Sequence, residues 1–314
     1  CFDMGGTTAK ACLITEGIPE RTVHFEVARE TRFAEGSGLP LQIPAIDMID
    51  IGAGGGSIAR VDERGLLQVG PDSAGANPGP ACYGKGGVEV AVTDASVVLG
   101  FLDPNNFLGG RESLDKEAAE VAVDKIASKL SVSRAEAAEG VHRVINTQMA
   151  EGIRLVSVRR GVDPRKFALL SFGGAAGIHI TEIARQLEVR RVVVPRTAAV
   201  LSAWGMLATD LRYEVSRTHI GDAGSLEASS IRQIFHEMEQ EGRARLAAAF
   251  DGEISIKSSA DMRYGEQIYE IDVSLDGVYF DSKDLMIEIS ILFHARHNVL
   301  FTYSLPDQEA VLVN

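Results

Sequence analysis

The apolar and polar positions at the start of the chain predict two short strands joined by a tight polar turn. Apolar Phe2 precedes Asp3, two glycines and two threonines occupy 5–8, and small or apolar residues fill most of 9–14. A second unit of this kind follows, because another apolar run leads into the glycine-dense stretch 52–56 and then into a further apolar run. The pattern therefore predicts two hairpins with glycine turns.

Apolar residues recur every three or four positions between 113 and 160, which is the spacing of two helices that face a core. Ser133 and Glu136 form a capping box at the start of the longer helix. Arg154 and the arginines of 159–160 lie near its end, where positive charge suits the helix dipole. His142 is predicted on the solvent face of this helix.

A strand, a glycine turn and a helix follow one another in FALLSF, GGAAGIH and TEIARQLE, which begin at Phe167. Backbone N–H groups at such a helix start can hold a nucleotide, and the alternative is a plain strand-to-helix turn. His179 lies just inside this helix as a proton donor, a metal ligand or a packing residue. The next strand, RRVVVP, predicts a parallel pair with a right-handed crossover. Trp204, in the helix after it, is predicted in the core.

The character of the chain changes after Asp210. Residues 227–251 have the pattern of an amphipathic helix, two strands are predicted between 254 and 275, and another helix follows. That last helix carries His294 and His297 three positions apart, so the two rings could share a metal, although no third ligand stands at a matching spacing. A smaller α+β unit is therefore predicted at 213–314.

The first glycine turn has the composition of a phosphate-binding loop. Gly5 and Gly6 permit a sharp turn, and the N–H groups of Gly6, Thr7 and Thr8 can converge on a phosphate. Asp3 ends the strand before the turn and is placed to hold Mg²⁺ or its water. The alternative is a simple hairpin turn with a surface aspartate. Neither a Walker loop nor a dinucleotide-binding fingerprint is present.

Three further features extend this chemistry. The glycines of 52–56 predict a close approach to a ligand or to the first turn, with Gly54 and Gly55 as the candidate contacts. Residues 65–87 lack helical or strand periodicity and predict an ordered, irregular loop. Asp94, before the apolar run that follows it, is a candidate both for capping a helix and for catalysis.

Composition narrows the class of protein. The chain has 314 residues, 45% of them hydrophobic, and a formal charge of −13, which argues against a nucleic-acid binder. Three cysteines without CxxC spacing indicate neither a disulfide framework nor a zinc site, which favours a reduced, cytoplasmic location. No apolar run reaches the length of a membrane span, so no membrane association is predicted.

Several stretches resemble the hydantoinase A/5-oxoprolinase family. They are DMGGTTAK from Asp3, IGAGGGSI, VGPDSAGANPGPACYGKGG with VTDA after it, FGGAAGIH, and VLSAWGMLATD. The resemblance implies an α/β fold of the actin-like ATPase (ribonuclease H-like) type, with residues 1–212 as the second lobe of the ATPase domain. A first lobe with an earlier phosphate loop is expected outside this sequence, so the isolated chain is expected to bind ATP weakly and to be inactive.

The resemblance also implies an activity, namely ATP-dependent opening of a cyclic amide such as a hydantoin or 5-oxoproline. Alternatives are a carboxylase component or a small-molecule kinase of the same fold, or a nucleotide-binding module inactive alone. ATP and Mg²⁺ (or Mn²⁺) are the implied cofactors, and a hydantoinase B-type partner and an oligomer are expected. The implied catalytic residues are Asp3, which is also the metal ligand, Asp94 and His179. The implied nucleotide contacts are Gly5, Gly6, Thr7, Thr8, Gly54, Gly55, Gly173, Gly174 and Gly177.

The three glycine turns, at 3–8, 52–56 and 173–177, each leave an apolar strand. In α/β sheets, ligands collect where such strands end. We therefore expect these turns to meet.

Overall fold

The computed structural model describes residues 1–27, 38–158, 161–265 and 267–314. The arginines predicted to suit the helix dipole at 159–160 lie outside the described residues. The chain divides into two compact units, Cys1–Ala208 and Thr209–Asn314. The predicted α/β class is confirmed, because a mixed sheet with helices forms the first unit.

The first unit is built on a five-stranded sheet in which the first two strands form the predicted hairpin. The strands of this sheet, in spatial order, are β11 (Val192–Val193), β10 (Leu169–Phe172), β1 (Phe2–Met4), β2 (Ala9–Cys12) and β7 (Met48–Ile51). β1, β10 and β11 run parallel, whereas β2 is antiparallel to β1 and β7. The predicted parallel pair is therefore present.

Smaller hairpins and five helices complete this unit. The hairpins pair β3 (Ile14–Thr15) with β4 (Ile18–Pro19), β5 (Arg21–Val27) with β6 (Leu39–Ile46), and β8 (Ser57–Val61) with β9 (Leu67–Ser73). The helices are α1 (Val92–Val98), α2 (Lys116–Leu130), α3 (Arg134–Val156), α4 (Ala176–Gln186) and α5 (Leu201–Ala208). The irregular loop predicted over 65–87 is wrong at its start, because Leu67–Ser73 form β9 and pair with β8. The glycine-rich chain between β9 and α1 is irregular, with one short 3₁₀ turn.

One face of the central sheet packs on α3 and α4, which places the core there. Phe2 and Met4 alternate with Asp3 along β1, and both apolar side chains are fully buried. Ile145 and Met149 of α3 lie in the same core cluster. The predicted capping box at the start of α3 is confirmed, with Ser133 and Glu136 exchanging hydrogen bonds.

Three further predictions in this unit are wrong. The strands on either side of the glycine turn 52–56 do not form the second predicted hairpin, because β7 pairs with β2 in the central sheet and β8 pairs with β9. His142 is buried instead of facing solvent, because it lies on the same stripe of α3 as the buried residues Ala138 and Asn146. Trp204 is 56% exposed instead of lying in the core, and α5, which carries it, has no buried residue.

The second unit is a small antiparallel sheet with two helices. Its strands, in spatial order, are β12 (Gly221–Asp222), β15 (Ala310–Leu312), β13 (Ser259–Tyr264) and β14 (Ile271–Ser274), and its helices are α6 (Ala228–Ala247) and α7 (Leu285–Phe301). Tyr264 and Phe293 are fully buried at its centre. None of the described helices in either unit is long and apolar enough to cross a bilayer.

Candidate functional site at the ends of the parallel strands

The loops that leave β1, β10 and β11 lie at one edge of the central sheet, since parallel strands end on the same side. The amide of Ala175 donates a hydrogen bond to the carbonyl oxygen of Met4 at 3.0 Å. The amide of Gly173 donates to the carbonyl of Ala198, in the loop after β11, at 2.9 Å. Three chain segments distant in sequence are thus joined by backbone hydrogen bonds at the edge where α/β proteins bind ligands.

The second glycine turn, residues 52–56, supports the loop of residues 5–8 through backbone hydrogen bonds. The amides of Gly55 and Gly56 donate to the carbonyl oxygens of Gly5 and Gly6 at 3.0 and 2.6 Å. In a trans peptide the C=O and the next N–H point in opposite directions. The N–H groups of Gly6 and Thr7 therefore point away from the second turn, and neither donates a hydrogen bond within the described part of the chain.

This arrangement forms a cradle open to an anion. Gly6 and Thr7 are exposed, and a Cβ on Gly5 or Gly6 would meet no atom within 4 Å. Two adjacent free N–H groups on the same side of a turn are the donors that a phosphate accepts. The space in front of the loop and the free donors both fit the phosphate of a nucleotide.

Gly54 is needed where the two turns touch. A Cβ at this position would lie 2.6 Å from both the carbonyl oxygen of Gly6 and the carbonyl carbon of Thr7. Gly55 is fixed from the other side by Thr93, whose amide and hydroxyl both donate to the Gly55 carbonyl. Gly54 and Gly55 are buried, so their glycines are explained by contact with the first loop, the second of the two predicted reasons.

The Asp3 carboxylate is half-buried beside this loop, accepts a hydrogen bond from Ser202 and packs closely against the backbone of Gly173. Ser202, at the start of α5, donates its hydroxyl to Asp3 Oδ2 at 3.1 Å. Gly173 has a φ of +92°, and a Cβ there would collide with Asp3 and with the backbone of Met4. The three glycine turns therefore meet around Asp3, as expected from the sequence. Sequence reasoning missed Ser202, although it lies in VLSAWGMLATD, one of the stretches that carry the family resemblance.

A charged row crosses the sheet from Asp3. Asp3 is the cross-strand partner of Lys10, and Lys10 is the partner of Asp50 on β7. Lys10 Nζ donates to Thr8 Oγ1 at 2.9 Å and lies 3.3 Å from Asp50 Oδ1. The Lys10 ammonium group thus contacts the side chain of Thr8 in the loop. Sequence reasoning also missed this contact.

The start of α4 offers further donors at the same edge. Gly174 and Gly177 are exposed, and a Cβ on either would meet nothing within 4 Å. No side chain caps α4, so its first amides are open to an anion at the positive end of the helix dipole.

Asp94 has a structural role, because its carboxylate binds backbone amides. It is fully buried at the third position of α1, where it accepts from the amide of the N-cap residue Ala91, so it caps the helix as predicted although it is not the N-cap residue itself. Its carboxylate accepts hydrogen bonds from the amides of Ala81, Cys82 and Ala91 at 3.2, 2.7 and 2.8 Å. Burial raises the pKa of Asp94, and the three amide donors oppose that shift. No surface of Asp94 is open to a substrate.

His179 also lies away from the cradle. It is 1% exposed, it lies 2.7 Å from Asn146 Oδ1 through Nδ1, and it stacks on His142 with ring centroids 4.6 Å apart. His142 in turn contacts Ser96 Oγ at 2.9 Å. Burial lowers the pKa of His142 to about 4 and that of His179 to about 3, with the His142 charge adding to the second shift. Two neutral rings thus join α1, α3 and α4 in the core.

Neither the histidine pair of α7 nor any other cluster among the described residues brings together three side chains suited to hold a metal. His294 accepts from the Tyr264 hydroxyl, and His297 donates to the carbonyl of Tyr303. Asp3 is therefore the carboxylate at the cradle, and a divalent cation there would need phosphate oxygens or water as its other ligands.

Two depressions, with volumes of about 350 and 420 Å³, lie at the other edge of the sheet. The first is lined by residues that precede β10 and β11, including Arg165, Lys166, Arg190 and Arg191. Neither depression is lined by residues of the cradle.

Comparison with known proteins is consistent with this geometry. The profile of the family described as hydantoinase/oxoprolinase matches residues 1–215. The caprolactamase subunit alpha of Pseudomonas jessenii is 40% identical over 99% of this chain and 44% of its own length. The acetone carboxylase beta subunit of Xanthobacter autotrophicus is 34% identical over 69% of this chain and 29% of its own.

The crystal structure of the ATP-dependent caprolactamase from Pseudomonas jessenii superimposes with a TM-score of 0.75 at 38% identity. It covers 99% of this chain, and this chain covers 45% of that one. The chain thus spans less than half the length of the caprolactamase that it matches.

Proposed function

The chain belongs to the hydantoinase/oxoprolinase family, and from that premise we propose that it supplies a phosphate-binding lobe of an enzyme that opens a cyclic amide with ATP. The observation that carries the proposal is the pair of free amides at Gly6 and Thr7, aimed away from the turn that holds their loop. The similarity to an ATP-dependent caprolactamase supports a lactam-like substrate.

A lactam carbonyl is a poor electrophile because the ring nitrogen donates electron density into it. Transfer of the terminal phosphoryl group of ATP to the carbonyl oxygen would release ADP and leave a ring carbon that water can attack. In such a reaction the protein acts mainly by positioning groups and by stabilising charge on the transferring phosphoryl group. The amides of Gly6 and Thr7, and Lys10 through its contact with Thr8, supply positive charge to this site.

Asp3 would hold Mg²⁺ or Mn²⁺ beside the phosphate. The cation would neutralise charge on the phosphate oxygens when bound. Ser202 fixes the direction of the Asp3 carboxylate by hydrogen bonding, and Gly173 leaves the space that the carboxylate occupies. Gly177 would contact the nucleotide through its amide in the first turn of α4, and Gly174 through the turn that precedes this helix. Gly54, Gly55 and Asp94 would support the loops without touching the nucleotide.

A second candidate function is ATP-dependent carboxylation of a ketone. The 34% identity to an acetone carboxylase subunit favours it, and both reactions require a phosphate cradle of this kind. We further propose that a partner of the hydantoinase B type completes the enzyme, since the caprolactamase and acetone carboxylase relatives are named as subunits.

The test uses the full-length polypeptide with its partner subunit, supplied with ATP, Mg²⁺ and either a cyclic amide or a ketone with bicarbonate. Caprolactam, hydantoin and 5-oxoproline form the first panel, and acetone forms the second. We expect ADP release to depend on a cyclic amide and to fall about 10²-fold or more in Asp3→Ala. Asp251→Ala, at an exposed position, is the matched control.

ADP release driven by acetone and bicarbonate alone would favour the carboxylase. An Asp3→Ala enzyme with unchanged turnover would contradict the assigned role of Asp3. The isolated chain should bind ATP weakly and turn it over negligibly, so steady hydrolysis by the 314-residue chain would refute the proposal that it needs a second lobe.

A further inference from the structure

Two cysteines meet across the hairpin that carries the phosphate loop. Cys1 and Cys12 face each other at its base, next to the paired residues Phe2 and Ala11. The Cys12 amide donates to the Cys1 carbonyl at 3.1 Å, and the Cys1 amine donates to the Cys12 carbonyl at 2.6 Å. The two Sγ atoms are 3.0 Å apart, and both residues are free and half-buried.

This pairing suits a covalent bond. Residues that exchange both backbone hydrogen bonds in an antiparallel ladder have Cα atoms about 5.5 Å apart, which lies within the range that disulfides span. The contact between the two Sγ atoms means that only a small side-chain adjustment separates the thiols from a disulfide. The backbone pairing fixes this proximity, so it does not depend on a chance encounter of mobile loops.

We propose that Cys1 and Cys12 form a reversible intramolecular disulfide when the protein meets a two-electron oxidant such as hydrogen peroxide. One thiolate attacks a peroxide oxygen, the O–O bond breaks, and a sulfenic acid and hydroxide form. The second thiol then attacks the sulfenic sulfur and displaces water. In sum, two thiols and one peroxide give one disulfide and two waters. A thiol reductant reverses the change by exchange.

The location links this bond to the candidate site. The disulfide would close a ring that contains Asp3 and the whole loop 5–8. Alternation along the strands puts both cysteines on the sheet face that bears Asp3 and Lys10, opposite the buried face of Phe2 and Ala11. Oxidation would therefore join the two strands from which the cradle is suspended.

The third cysteine supplies an internal control. Cys82 is fully buried in a different part of the first unit, whereas Cys1 and Cys12 are half-buried and in contact with each other. Burial raises the thiol pKa of both Cys12 and Cys82, so the control rests on the inaccessibility of Cys82 to the oxidant, and Cys82 should stay unmodified under mild oxidation.

The experiment treats the 314-residue chain with one to two equivalents of hydrogen peroxide and follows intact mass and free-thiol titration under denaturing conditions. We expect a loss of about 2 Da, a fall from three reactive thiols to one, and a peptide map that joins Cys1 to Cys12. Dithiothreitol should restore all three thiols. Cys82→Ser should still lose two thiols. Cys12→Ser should lose no thiol to an intramolecular disulfide.

Three titratable thiols after treatment would overturn the proposal. A covalent dimer, a gain of about 32 Da without a linked peptide, or a linked peptide that contains Cys82 would overturn it as well. The result is independent of nucleotide binding, so it stands or falls separately from the proposed function.

Discussion

The amide of Gly56 donates a hydrogen bond to the carbonyl oxygen of Gly6 at 2.6 Å, and this contact turns the Gly6–Thr7 peptide so that its N–H points outward. One glycine turn thus orients the donors of another. The relationship explains why the second turn is glycine-dense although its residues are buried, and it makes the cradle dependent on atoms that never touch a ligand.

Gly54→Ala should displace the phosphate loop. The added Cβ would lie 2.6 Å from backbone atoms of Gly6 and Thr7, which cannot move without shifting the cradle. We expect a loss of about 1–3 kcal/mol of stability, typical of an overpacked site, together with at least about tenfold weaker binding of Mg·ATP in a calorimetric titration of the full-length enzyme.

Gly205→Ala is the matched control, since a Cβ there meets nothing within 4 Å and the residue lies in α5. Its nucleotide affinity should be unchanged. Equal affinity in Gly54→Ala and the wild type would show that the second turn does not shape the cradle.

Ser202→Ala should weaken metal use without unfolding the protein. The variant removes the hydroxyl that donates to Asp3 Oδ2, so the carboxylate loses the hydrogen bond that orients it. A hydrogen bond of this kind contributes about 0.5–1.5 kcal/mol, so the half-saturating Mg²⁺ concentration for ATP turnover should rise about 2- to 12-fold. Ser202→Thr should restore it, and Ser229→Ala should behave as the wild type. An unchanged Mg²⁺ dependence would show that Ser202 does not contribute to the site.

Asp94→Ala should lower stability in a way that Asp3→Ala does not. The substitution leaves the amides of Ala81, Cys82 and Ala91 without their acceptor in a buried region, at a cost of about 2–4 kcal/mol in urea unfolding. Asp103→Ala, which removes an exposed acceptor for a single amide, should cost less than about 0.5 kcal/mol. A stable but inactive Asp94→Ala enzyme would restore the catalytic role predicted from the sequence.

The buried histidine pair should make the first unit sensitive to acid. In the folded state the pKa of His142 is about 4 and that of His179 about 3, against about 6.5 in the unfolded chain, so the unfolded state binds more protons below pH 6.5. Their contribution is therefore fully present above pH 6.5 and is lost as the pH falls toward 4. Each histidine should cost about 2 kcal/mol between pH 7 and 5.

His142→Phe keeps an aromatic ring without a proton site, so urea unfolding followed by circular dichroism should show about half of that pH dependence. His236→Gln, at an exposed position of α6, should leave the dependence unchanged. Identical pH profiles for His142→Phe and the wild type would mean that the pair is not the acid-sensitive element.

Local sequence patterns predicted the parts of this molecule that depend on near neighbours. The glycine hairpin at residues 5–8, the capping box at Ser133 and the strand–turn–helix at β10 and α4 were predicted from spacing alone. The burial of His142 could also have been predicted, because His142 is four residues from Ala138 and from Asn146 on the apolar stripe of its helix.

Contacts between distant segments could not be predicted this way. The Ser202–Asp3 hydrogen bond joins residues 199 positions apart, and Asp94 binds amides in a loop 12 and 13 positions before it. The Cys1–Cys12 contact depends on the register of the hairpin, since a shift of one residue would move one thiol to the other sheet face. Such contacts follow from how the elements pack, which periodicity does not encode.

The most direct test of the cradle is a ¹⁵N amide titration of the 314-residue chain with Mg·ATP and, separately, inorganic phosphate. We expect the resonances of Gly6 and Thr7 to shift first and furthest, and those of Gly174 and Gly177 to shift with ATP. The amides of Gly55 and Gly56, which already donate to the loop, should shift less. Unmoved Gly6 and Thr7 resonances at saturating ligand, with shifts elsewhere in the first unit, would contradict the central claim.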